Sequence, residues 1–159
     1  MTGCIIMVQL VPQIHVCLII SFNLQPVNNP PIILFDGLCN LCNRSVQYVI
    51  RHDPAAIFKF ASLQGEAGQQ LLKEYGLTAN NMNSFVLIKD NKVYTRSTAA
   101  LTVAKQLKGI SKLLYGFIIV PAFIRNAVYD LIAKNRYKWF GKKDSCMVPT
   151  ASLKSRFLN

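Results

Sequence analysis

The chain has 159 residues, of which 52% are hydrophobic and 16% charged, and its formal net charge is +11. That length fits one domain able to bury a core without disulfide staples, and that composition excludes an intrinsically disordered chain. It is also apolar enough to pose the question of a membrane.

Residues 1–31 read as an apolar extension followed by a linker. Met1 to Phe22 is uncharged. A secretory signal would begin with basic residues, and no Lys or Arg precedes Arg44. A spanning helix needs about 20 uninterrupted apolar residues, and Gln9, Pro12, Gln13 and His15 interrupt this stretch. Gln25 to Pro31, rich in Pro and Asn, reads as irregular linker. The preferred reading is a non-native or poorly ordered extension ahead of a domain over 32–159. A membrane or export segment is the first alternative and an added strand the second.

Ile32 to Asp36 is short, β-rich and stopped by Gly37, as a buried strand would be. Asn40 to His52 predicts a helix with Leu41, Val46, Val49 and Ile50 on one side, ended by Asp53-Pro54. Ile57 to Ala61 predicts a second strand. Ser62 to Tyr75 predicts a helix with Ser62 as N-cap, stopped by Gly76. Ser84–Ile88 and Lys92–Thr95 flank Asp90-Asn91 as a hairpin. Ser97 opens a helix to about Leu107, and Gly109 to Ser111 breaks it. Leu113 to Val120 reads as a short apolar helix, too short to cross a bilayer and therefore assigned to the core. Pro121 opens a last helix to about Tyr137, with Ala127, Val128, Leu131 and Ile132 on its apolar face.

The order β-α-β-α-β-β-α implies a parallel pair joined through a helix and an antiparallel hairpin. The expected fold is α/β: a thioredoxin-like, mixed four-stranded sheet flanked by helices, with extra C-terminal helices. Charge is uneven along it. Residues 105–159 hold eleven Lys/Arg against Asp130 and Asp144, whereas 1–104 hold seven against five acids. A solvated basic surface is the default reading, and a membrane surface is the alternative. Nucleic acid is not favoured, because no helix-turn-helix, zinc-finger or aromatic RNA-binding signature accompanies the charge.

Chemistry concentrates at Asp36-Gly37-Leu38-Cys39-Asn40-Leu41-Cys42. Five cysteines, including Cys4, Cys17 and Cys146, are too few and odd in number for a secreted disulfide framework. One Cys-x-x-Cys points instead to a reducing compartment, the cytoplasm, and to a working thiol pair. Cys39 falls where a helix begins, so unpaired N–H groups and the helix dipole favour its thiolate. Cys42 lies nearly one turn on and faces the same side. Cys39 would attack a disulfide and Cys42 would resolve the mixed disulfide. Gly37 lets the chain turn tightly. Asp36 reads equally as proton acceptor for Cys42, helix cap or turn former. Arg44 is expected to face solvent. Zinc held by Cys39, Cys42 and Cys146 with His52 or His15 is the rival, weakened because structural zinc sites usually show two Cys pairs.

These residues, taken in order, resemble the DCC family of thiol-disulfide oxidoreductases. The likeness recurs at Arg96-Ser97 with Ala99-Ala100-Leu101, at Pro121 and at Ala127 to Asp130. It continues through Asn135-Arg136-Tyr137-x-Trp139-Phe140-Gly141, Asp144-x-Cys146-x-x-Pro149 and Arg156-Phe157-Leu158. It implies a disulfide oxidoreductase without cofactor or metal, with Cys39 as nucleophile, Cys42 as resolving thiol and Asp36 as signature acid. Gly37, Ser97, Arg136, Trp139 and Cys146 are its accessory candidates. The expected partners are a protein or small-molecule disulfide or thiol, and a redox partner, unknown from the sequence, that recycles the pair. Thioredoxins place a cis-proline before the third strand; Met82-Asn83-Ser84 stands there instead, so docking at that loop would differ. Arg136 to Phe140 mixes basic and aromatic side chains, as helix packing over the sheet or as a rim for an anionic partner. A non-catalytic thioredoxin-like binding module, associated with a membrane, is the alternative function.

Overall fold

The computed structural model describes residues 29–77, 85–144 and 151–158. The expectations for residues 1–28, for Met82-Asn83-Ser84 and for Cys146 and Pro149 fall outside those residues.

The elements run β1 (Ile32–Phe35), α1 (Asn40–His52), β2 (Lys59–Ser62), α2 (Glu66–Glu74), β3 (Val86–Lys89), β4 (Lys92–Thr95) and α3 (Arg96–Gln106). A 3-10 helix (Ile110–Ile119), α4 (Ala122–Phe140), a second 3-10 turn (Ala151–Arg156) and β5 (Phe157–Leu158) complete the order. The sheet order is β4-β3-β1-β2-β5. β1 pairs parallel with β2 and antiparallel with β3, and β2 pairs parallel with β5. This is a mixed α/β fold of thioredoxin-like form. It has five strands rather than the expected four, because Phe157-Leu158 at the chain's end adds an edge strand.

Side chains alternate across a strand, so the register divides the core between the two faces. Ile33 opposes Phe60 and Leu87, and with Phe35 these meet Val46 and Val49 of α1 and Ala99 and Val103 of α3. On the other face Leu34, Ala61, Val86 and Ile88 meet Leu72 of α2. Ser62 is the last residue of β2, not an N-cap: its hydroxyl joins a turn with Gln64, and α2 starts after Gly65. Gly68 explains the tight seat of α2 on β2. A Cβ there would stand 2.0 Å from the Ser62 carbonyl oxygen.

The segment assigned to the core at Leu113–Val120 falls in the 3-10 helix up to Ile119 and lies largely at the surface, with Leu113 73% and Ile119 86% exposed. The apolar face of α4 is likewise outside: Val128, Leu131 and Ile132 are exposed. Short apolar runs carry no information on which side they bury when the layer beneath is already complete.

Candidate functional site

β1 delivers Asp36 to the sheet's end, and the turn Gly37-Leu38 feeds α1. The turn is tied on both sides. Gly37 donates its N–H to Gln64 Oε1 at 3.0 Å, and its carbonyl accepts from Asn43 Nδ2 at 2.9 Å. Asp36 Oδ1 accepts the Leu38 N–H at 3.0 Å, so this carboxylate forms the turn. The helix cap is Cys39 itself, whose Sγ accepts the Cys42 N–H at 3.5 Å. α1 has no acid in its first turn, and Arg51 and His52 in its last turn complement the negative end of the helix dipole.

Cys39 and Cys42 are both free thiols. Cys39 is fully buried, whereas Cys42 is half-buried. The cover over Cys39 comes from the end of α4. Gly141, at φ +80°, turns the chain back, Asn40 Nδ2 holds the Phe140 carbonyl at 2.9 Å, and Lys143 donates its N–H to the Leu38 carbonyl at 2.8 Å. A short bridge pairs Cys39 with Lys142. Residues 140–143 thus form a strap over the first cysteine.

Cys42 faces a cleft of about 290 Å³ lined also by Asp36, Leu41, Phe85, Tyr129, Ile132 and Arg136. A larger cleft of about 470 Å³ lies between α1 and α3 and contains neither cysteine. Arg136 is buried and its Nη2 stands 2.8 Å from Asp36 Oδ2. Tyr137 donates its hydroxyl to the same oxygen, and Gln64 Nε2 donates to Oδ1 at 2.9 Å. A buried carboxylate without partners would protonate. Here burial pushes the Asp36 pKa up, but the bonds from Tyr137, Leu38 and Gln64 and the Arg136 charge outweigh it and hold it below its usual value. The Cys42 thiol goes the other way. Burial, its hydrogen bond to Cys39 and the Cys39 charge push it up to about 12, against a smaller opposing effect of Arg136. Tyr137 is also raised, first by burial and then by its bond to Asp36.

The structure therefore brings Asp36, Gly37, Cys39, Cys42 and Arg136 together. Ser97 is elsewhere: it is buried on α3 and bonds Asn126 Oδ1 at 2.5 Å, fastening α3 to α4. Trp139 is exposed and does not line the Cys42 cleft. Arg44 is exposed, as expected. Gln64 and Tyr137 are site residues that sequence reasoning missed. Strand register could have found Gln64, because Phe35 opposes Ser62 and the two chains leave the sheet side by side. His52 stacks on Tyr48 at the opposite end of α1, about 15 Å from Cys42 by helical rise. Among the described residues no group of three His, Cys, Asp or Glu is placed to hold a metal, and none of their helices is long and apolar enough to cross a membrane.

A dithiol at a helix start, at the end of the first strand of a mixed sheet, defines the thioredoxin-like class of protein. Within it, the chain belongs to the DCC1-like thiol-disulfide oxidoreductase family, whose profile matches residues 33–142. It is 54% identical over 127 residues to "Uncharacterized protein YuxK" of Bacillus subtilis (strain 168), covering 80% of this chain and 93% of that one. It is 39% identical over 117 residues to "DCC family protein At1g52590, chloroplastic" of Arabidopsis thaliana, covering 73% and 68%. No solved structure matches the chain.

Proposed function

We propose that this protein exchanges thiols and disulfides through Cys39 and Cys42. The Cys39 thiolate attacks one sulfur of a substrate disulfide, forms a mixed disulfide and releases the other half as a thiolate, which takes a proton. Cys42 then loses its proton, attacks Cys39 and expels the second half. Two electrons and two protons pass to the substrate, and the Cys39–Cys42 disulfide remains. An external dithiol returns it to the reduced form. The observation that carries this reading is the asymmetry of the pair. Cys39 receives an N–H at the positive end of α1, while Cys42 stays a thiol until its neighbour's charge is consumed in the mixed disulfide. Asp36, held ionised by Arg136 and Tyr137 beside the cleft, is proposed to act on Cys42 through its charge, which raises the thiol pKa, rather than as the base that takes its proton.

Full burial of Cys39 favours a second reading, a binding module that never turns over. The two separate in one experiment. Equilibration with glutathione buffers, read by thiol trapping, should give a single two-electron transition for Cys39–Cys42, and the protein should reduce a small disulfide. Full activity in Cys39→Ser would sink the exchange mechanism; no transition across the whole glutathione range would leave the binding module.

A further inference from the structure

We infer that the outward side of α4 together with the 3-10 helix Ile110–Ile119 is a docking surface for an anionic lipid bilayer. Phe123, Ala127, Leu131, Lys134 and Lys138 follow at spacings of four, four, three and four, so they share one side of α4. Each of them is exposed, Phe123 at 74% and Leu131 at 57%, while Arg136 on the opposite side is buried. That side is apolar over its first two turns and cationic over its last two. The 3-10 helix flanks that side: its Phe117 and the following Val120 line one apolar cleft with Ile124 and Val128 of α4, and Phe117, Ile124 and Val128 are exposed.

Apolar surface of this extent, spread over two consecutive elements, marks an interaction site rather than scattered exposed residues. Its charge selects the partner. From Lys105 to Lys143 there are nine Lys/Arg, of which Arg136 is buried against Asp36, and a single acid, Asp130, which Arg96 already engages at 3.4 Å. A second copy of this chain would set those cations against each other in a two-fold interface. A bilayer surface takes the apolar side chains to the depth of the headgroups and offers phosphates to lysines that extend outward. None of the described helices is long and apolar enough to cross a bilayer.

The test is sedimentation of the full chain with vesicles of phosphatidylcholine alone or mixed with phosphatidylglycerol. The protein should pellet with the anionic vesicles and detach as salt rises. Lys134→Glu/Lys138→Glu should weaken this about tenfold or more, and Phe123→Ser/Leu131→Ser should also weaken it. Both variants should keep the melting temperature and the thiol reactivity of the unaltered protein. Equal pelleting with neutral vesicles would overturn the inference. So would binding untouched by either double variant, which would place the contact elsewhere in the chain. A stable dimer of the unaltered protein, dissociated by the same substitutions, would assign the face to a second copy instead.

Discussion

Among the described residues two buried Asp–Arg pairs stand at opposite ends of α1, in different surroundings. Asp36–Arg136 stands at its start and Asp53–Arg156 at its finish, each joining the first strand-helix unit to the C-terminal third. Asp53 accepts the N–H groups of Ile57 and Phe58 and the Arg156 guanidinium at 2.5 Å, and Arg156 also reaches the Phe58 carbonyl. Its partners are backbone and one arginine, and the pair fastens the turn before β2 to the turn before β5. Asp36 shares its carboxylate with a tyrosine and a glutamine and borders a cleft that contains a thiol. Backbone surrounds the one pair, whereas a cysteine and open space adjoin the other. Breaking each should therefore produce separable effects.

The largest effect belongs to the fastening. Asp53→Ala leaves Arg156 and two N–H groups buried without their acceptor and should cost about 3–5 kcal/mol of unfolding free energy, read by urea denaturation. Thiol reactivity at Cys42 should be unchanged in the fraction that remains folded. A loss below about 1 kcal/mol would mean that the pair is solvated, and the contrast would then fail.

At the Cys42 end the effects are on titration and carry opposite signs. Cys39→Ser removes the strongest electrostatic cause of the raised Cys42 pKa and should lower it most. Asp36→Asn removes a smaller one and should lower it less, and Arg136→Met should raise it further. Alkylation of Cys42 against pH, followed by mass spectrometry, reads all three. Stability should follow the same linkage. Cys42 has a raised pKa in the folded state, so its contribution is present below the unfolded thiol's value near about 8.5 and fades as pH climbs toward 12. Asp36 is depressed, so its contribution is present above the unfolded carboxyl's value and is lost as pH falls through the folded one. Asp36→Asn should flatten the acid limb of the stability curve and Cys42→Ala the alkaline limb.

How far this was legible follows from the range of each interaction. β1, α1 and the two thiols occupy eleven adjacent residues plus one helix, and local pattern sufficed. The hairpin and α3 were placed within two residues. Arg136 was visible as part of a motif, but its inward turn is decided by a carboxylate 100 positions earlier, and helical spacing alone allows it to face water. A buried acid at the end of a strand demands a cation, and that demand was the available signal. Ser62 misled because its preference for a cap is satisfied equally by the turn with Gln64. β5 spans two residues, below any periodicity. Leu113 to Val120 was placed inside on hydropathy, although α1 and α3 already cover that face of the sheet.

The smallest effect sharpens the comparison most, because it concerns access rather than stability. The start of α1 differs from its finish in being covered by a strap that few bonds hold. Asn40 Nδ2 to the Phe140 carbonyl is exposed, and its loss in Asn40→Ala should cost about 1 kcal/mol or less. If residues 140–143 must lift before a disulfide reaches Cys39, that variant should raise the rate of Cys39 alkylation about threefold to fivefold at constant pH, the ratio that 1 kcal/mol sets for the open form. Gly141→Ala acts on the same strap by a different route: it strains a φ of +80° and brings a Cβ within 3.1 Å of Asn40 Nδ2. Each should lower urea stability by no more than about 1–3 kcal/mol, less than the loss expected for Asp53→Ala. Equal alkylation rates in all three proteins would mean that Cys39 is reached by another path, from the Cys42 cleft, and the strap would then be a fastening like Asp53–Arg156.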